Sequence, residues 1–131
     1  MGRKIKVLIV DDEAKIRKIL RITTTTVSGN EIVGEAGCAQ SAMETFREAK
    51  PDLVLLDISM PDVDGIELLK QMKQINPDVR VVMITSINDP PTVRRCIEAG
   101  ANNYVLKNIG PEAIREVIKQ SVYECFTSIH R

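Results

Sequence analysis

Charge of either sign is missing in surplus. Lys plus Arg and Asp plus Glu number 18 each, so the formal net charge is zero. Such a balance gives no field that would draw the chain onto nucleic acid or an anionic membrane. The short basic stretches Gly2-Arg3-Lys4 and Arg94-Arg95 read as solvated surface. Long apolar runs are missing too, and none approaches the ~20 residues of a membrane span. Cysteine is sparse. Cys38, Cys96 and Cys125 are an odd set without metal-ligand spacing, and no secretory segment precedes them, so reduced thiols in a cytoplasm are expected. Cys96 and Cys125 fall in helical patterns and suit a core. The one histidine, His130, stands beside the C-terminus with nothing nearby to orient it, so it is expected to be solvated rather than catalytic.

What is present is a core with regular punctuation. The apolar share is 44% over 131 residues, enough for one ordinary domain and too few for two. Apolar strands are predicted at Ile5–Val10, Glu31–Ala36, Leu53–Leu56, Val79–Ile84 and Asn103–Leu106. Helical spacing follows each, from Glu13, over Ser41–Lys50, Gly65–Ile75 and Pro91–Ala99, and from Pro111 onward. Pro51, Asn76-Pro77 and Gly100 punctuate. Five strand–helix alternations imply an α/β fold, a parallel sheet with helices on both faces. Thr23 to Thr26, four β-branched residues at the end of the first helix, are expected to fray it.

Several of these strands end on chemistry. Asp11 and Asp12 close the first, Asp57 the third, Thr85 the fourth and Lys107 the fifth. In a parallel sheet those ends share one edge, and ligand sites lie in the crevice outside it. Singly, each has a plain explanation: Asp11 or Asp12 as a helix N-cap, Asp62 or Asp64 as turn and cap chemistry before Gly65, Thr85 as strand, Lys107 as surface. Jointly, three acids at one edge repel one another, and a hard divalent cation such as Mg²⁺ relieves that while keeping waters for a phosphate. A carboxylate beside Mg²⁺ and a lysine is a competent nucleophile toward a phosphoryl group.

The motifs Val10-Asp11-Asp12-Glu13, Asp57-Ile58-Ser59-Met60-Pro61-Asp62-Val63-Asp64-Gly65, Thr85-Ser86, Gly100-Ala101 and Tyr104-Val105-Leu106-Lys107 resemble those of the receiver domains of response regulators in two-component signalling. The resemblance spans nearly the whole chain and implies a five-stranded parallel sheet of order 2-1-3-4-5, flavodoxin-like, with residues 1–131 forming one receiver domain, standing alone or excised from a longer regulator. It implies Asp57 as phosphoacceptor. Asp12, Asp57 and the backbone carbonyl of Ser59 would be Mg²⁺ ligands, and Asp11 would hold the metal through water. Lys107 would pair with the phosphoryl group, Thr85 would be the hydroxyl that moves onto it, and Tyr104 the aromatic switch. The implied partner is a sensor histidine kinase or a histidine phosphotransfer protein. A last helix reaching Phe126 and Ile129 with apolar side chains exposed is expected to support a homodimer on phosphorylation or a following linker. Ser59 and Ile87 would border the water's approach and make self-dephosphorylation slow.

The family usually carries proline after the lysine, commonly in a cis bond, and here Asn108 follows Lys107. A cis bond to a non-proline residue costs about 3 kcal/mol, so either a trans bond with a shifted loop or a strained cis bond is expected. The absence of that proline is also like receivers joined to helix-turn-helix DNA-binding domains. A haloacid-dehalogenase-type phosphatase is the rival in another class, but Ser59 stands where it would need a second aspartate. A flavin module would not place Asp11-Asp12-Glu13 where a phosphate must bind.

Overall fold

A computed structural model describes residues 3–129. The strands and helices alternate throughout: β1 (Ile5–Val10), α1 (Ala14–Thr25), β2 (Asn30–Ala36), α2 (Ala39–Ala49), β3 (Leu53–Leu56), α3 (Gly65–Ile75), β4 (Arg80–Thr85), α4 (Pro90–Glu98), β5 (Asn103–Leu106) and α5 (Pro111–Ile129). All strand pairs are parallel, in the order β2-β1-β3-β4-β5. That is the expected α/β arrangement, with strand limits within a residue of those read from the sequence.

The strands are apolar along their whole length because both faces are covered. Alternate side chains turn to opposite faces. Leu8, Val10, Val54, Leu56, Val81 and Met83 meet α2 and α3 on one side, where Cys96 of α4 joins them. Ile5, Val7, Ile9, Leu53, Leu55 and Ile84 meet α1 and α5 on the other, with Cys125 among them. The chain leaves β1 toward β2 on one side and returns to β3 on the other, which opens a crevice at the C-terminal edge between β1 and β3.

Two expectations are decided here. The threonine run does not fray: α1 continues through Thr25, and Thr23 and Thr24 are buried. Thr25 Oγ1 donates to the Ile22 carbonyl and Thr26 Oγ1 to that of Thr23, while Arg115 of α5 donates to Thr26 Oγ1 and to its carbonyl. Packing and a cation at the helix C-terminus thus outweigh poor intrinsic propensity. Among the described residues every peptide bond is trans, that between Lys107 and Asn108 included. Lys107–Ile109 instead wind into one 3-10 turn, and Gly110, at φ 100°, leads into α5. Phe126 is 38% exposed on α5, as expected. The side chain of Ile129 and His130 lie outside the described residues.

Candidate functional site

The C-terminal edge of the sheet gathers the predicted residues. β1 runs out into Asp11, which is 1% exposed, and into exposed Asp12; β3 runs out into Asp57, 3% exposed. One carboxylate oxygen from each of the three lies within 4.8 Å of the others. Lys107, delivered by β5, places Nζ 2.9 Å from Asp11 Oδ2, 3.3 Å from Asp57 Oδ2 and 3.2 Å from Glu13 Oε1.

The electrostatics are those of acids held close in a dry place. Burial pushes the carboxyls of both Asp11 and Asp57 up from their ordinary value; the charge on Asp11 raises Asp57 further, and that on Asp12 adds a smaller push to Asp11. Lys107 counters this for both. Burial works against its own charge, but the short ion pair with Asp11, then the charge on Asp57, outweigh burial and hold the ammonium above its ordinary range. One lysine does not satisfy the cluster. Asp11 Oδ2 is close enough to Nζ to count as an ion pair, yet it is buried and lacks a well-directed hydrogen bond. The other oxygens accept from nearby backbone, Asp11 Oδ1 from the Glu13 N–H at 2.9 Å and Asp57 Oδ1, weakly, from that of Ser59 at 3.4 Å. An under-satisfied buried oxygen within an all-oxygen donor set fits a hard divalent cation such as Mg²⁺. Neither Asp11 nor Asp12 caps α1, whose N-cap residue is Glu13.

Thr85 is fully buried at the end of β4. Its Oγ1 accepts the N–H of Ile87 at 3.3 Å, and the carbonyl of the same Ile87 accepts the hydroxyl of half-buried Tyr104. Both main-chain groups of Ile87 are therefore committed, one to each of the two predicted switch residues. The loop after Asp57 is fixed by close approach. A Cβ on Gly65 would stand 2.2 Å from the Asp57 carbonyl oxygen and 2.6 Å from Ile58 Cα, so only glycine lets α3 begin here. Asp64 caps α3 by accepting the Ile66 N–H, as its sequence position suggests. Asp62 caps a different helix: its carboxylate accepts the N–H of Ala39, the first residue of α2, whose own N-cap Cys38 supplies no such bond.

The sequence reading brought together Asp11, Asp12, Asp57, Thr85, Lys107 and Tyr104, and left out three contacts. Glu13, seen only as part of a motif, reaches Lys107 across 94 positions. Arg17 Nη1 donates to the main-chain carbonyl of Asp11 at 2.6 Å. Asp62 holds Ala39. The spacing of Arg17 one turn into α1 was the available signal. The other two partners depend on where distant segments meet. Beside the acids a groove of about 500 Å³, lined by Asp12, Ser59, Met60, Ile87 and Arg95 among others, opens to solvent.

Comparison with known proteins gives the context. Residues 7–119 match the family described as response regulator receiver domain. The transcriptional regulatory protein YhcZ of Bacillus subtilis is 41% identical over 109 residues, covering 83% of this chain and 51% of that protein. Chemotaxis protein CheY of Thermotoga maritima is 34% identical over 120 residues, 92% of this chain and 98% of that one. Among solved structures, a CheY-like response regulator receiver domain protein from Methanospirillum hungatei superposes with a TM-score of 0.86 at 27% identity, covering 97% of this chain and 99% of that one. The chain spans about half the length of several curated relatives it matches, YhcZ among them.

Proposed function

The chain belongs to the response regulator receiver family, and from that premise we propose that it is switched by a phosphoryl group carried on Asp57. The observation that carries this is the buried acid pair, Asp11 and Asp57, held 2.9 and 3.3 Å from one lysine with an Asp11 oxygen left under-satisfied. The donor is a phosphohistidine on a sensor histidine kinase or phosphotransfer protein. An Asp57 carboxylate oxygen attacks phosphorus, the phosphorus–nitrogen bond breaks, and the imidazole leaves with a proton. Two anions must meet, so positive charge has to be in place beforehand. Lys107 brings one such charge within reach of the acceptor. Held by Asp12, Asp57, the Ser59 carbonyl and, through water, Asp11, Mg²⁺ would supply the rest by neutralising the transferring oxygens. Asp57 is raised by desolvation and then by Asp11, so positive charge placed beside it favours the carboxylate that acts as nucleophile.

The signal then passes from Thr85 to Tyr104. The Thr85 hydroxyl moves onto the phosphoryl oxygens, and Ile87, bonded to both residues, moves with it. α4, β5 and α5 form the surface that reads the change. Residues 1–131 act in the cytoplasm as one receiver domain, either alone, as the near full-length match to CheY of Thermotoga maritima supports, or as the regulatory part of a longer DNA-binding regulator, as the half-length match to YhcZ supports. Exposed Tyr123 and Phe126 on α5 favour association of two copies on phosphorylation. No helix among the described residues is long and apolar enough to cross a membrane.

Intact mass spectrometry after incubation with Mg²⁺ and acetyl phosphate tests the acceptor. One added phosphoryl group is expected, and none in Asp57→Asn. An equal gain in that variant moves the acceptor elsewhere.

A further inference from the structure

Lys107 has three N–H donors and faces three carboxylates. Asp11 and Asp57 belong to the site proposed above. Glu13 does not: its side chain is 60% exposed and it stands at the mouth of the crevice, 3.2 Å from Nζ. Its main chain is nonetheless fixed to the site, since the Glu13 N–H donates to Asp11 Oδ1 at 2.9 Å. The carboxylate is thus anchored beside the lysine without being a member of the three-acid cluster.

We infer that Glu13 is a positioning residue that holds Lys107 back and sets how tightly the site retains a phosphoryl group. The inference rests on the reading of Asp57 as acceptor. A cation bound by Asp11, Asp12 and Asp57 would neutralise those acids and so loosen their grip on the ammonium. It would do little for Glu13, whose exposed carboxylate stands outside the ligand set. Glu13 is then the competitor that an incoming phosphoryl oxygen must displace from Nζ. Its side chain makes no capping hydrogen bond at the start of α1, and its bond to Asp11 uses the main chain, so replacing the side chain removes the competition and leaves the local fold intact.

The test is a titration of the 131-residue chain with beryllofluoride in Mg²⁺, followed by amide resonances, in wild type, Glu13→Gln, Lys107→Met and the double variant. Glu13→Gln should bind the phosphoryl mimic about two- to fivefold more tightly, the range of an exposed ion pair, and the gain should shrink as salt is added. In the Lys107→Met background the same substitution should change affinity by less than about 1.3-fold, because the coupling runs through the lysine. Equal tightening in both backgrounds would mean that Glu13 acts only through its charge on the bound anion, and would overturn the inference. So would an unchanged or weaker Glu13→Gln. Asp57→Asn separates the two proposals: a wild-type response that survives in it, or no saturable wild-type response at all, sinks the acceptor reading and this inference together.

Discussion

The two edges of the sheet carry similar side chains and treat them in opposite ways. At the N-terminal edge, Asp52 accepts from Arg3 and from the Lys6 N–H. Asn102 Oδ1 accepts both the Val81 N–H and Lys73 Nζ at 2.9 Å, and Lys73 also donates to the Val79 carbonyl. Acid and base are interleaved, and each partner named there has a partner of its own. At the C-terminal edge Asp11, Asp57 and Glu13 share one half-buried lysine, and an Asp11 oxygen is left without a directed bond. The difference teaches where stability and function part company. One edge satisfies its polar groups with its own hydrogen bonds; the other leaves a buried acid oxygen without one.

The strongest way to break the contrast is to disturb the packing that shapes the incomplete edge. Gly65→Ala puts a Cβ into the Asp57 main chain, and it should destabilise the fold by about 3 kcal/mol while displacing the end of β3. A denaturant midpoint within error of wild type would show that the loop yields freely. Next come two substitutions of opposite sign. Lys73→Met leaves the Val79 and Asn102 acceptors without their cation, and should cost about 2 kcal/mol. Asp11→Asn removes a buried acid whose ionised form the fold disfavours, and should stabilise the metal-free protein by roughly 1 kcal/mol while losing most of the stabilisation by Mg²⁺. Thermal melts with and without Mg²⁺ read both. The same sign at both edges would erase the distinction.

A pH series sharpens it further. Burial raises Asp11 and Asp57 above their ordinary 3.8, so the folded state binds their protons more tightly than the unfolded chain does. Their contribution is favourable at low pH and is lost as pH rises from 3.8 through the raised values. Lys107, raised by its acids, contributes below its ordinary 10.5 and loses that contribution only at more alkaline pH. Metal-free stability measured upward from pH 3.8 should therefore show a declining component that Mg²⁺ suppresses and Asp11→Asn reduces. A rise that Mg²⁺ leaves unchanged would contradict the assignment. The smallest effect concerns phosphoryl lifetime. Half-buried Ile87 offers no side-chain hydrogen bond to water, and exposed Ser59 is short. Ile87→Glu and Ser59→Asn should each shorten the lifetime, by roughly tenfold or less (about 1.4 kcal/mol in barrier). Unchanged lifetimes in both would show that water reaches phosphorus by another path.

How much of this was legible beforehand divides along physical lines. Strand-end residues announce their edge because parallel strands leave no choice of direction, so Asp11, Asp57, Thr85 and Lys107 could be placed together from spacing alone. The cap at Asp64 was readable because its partner is two residues away. Asp62 was not, since its partner Ala39 belongs to another helix. The threonine run misled because propensity ignores the burial of Thr23 and Thr24. Glu13 looked like one more acid in a motif, and only the convergence of the segments that follow β1 and β5 at the C-terminal edge gives it a lysine.

The bond from Asp62 to Ala39 makes one amide a clock for the neighbouring loop. α2 supplies no cap of its own, so the first N–H of that helix is shielded by a residue of the segment between β3 and α3. Each excursion of that segment uncovers the Ala39 amide to solvent deuterium without unwinding the helix behind it. Its exchange rate, set against that of amides deeper in α2, therefore counts local openings of the loop beside Asp57 rather than global unfolding.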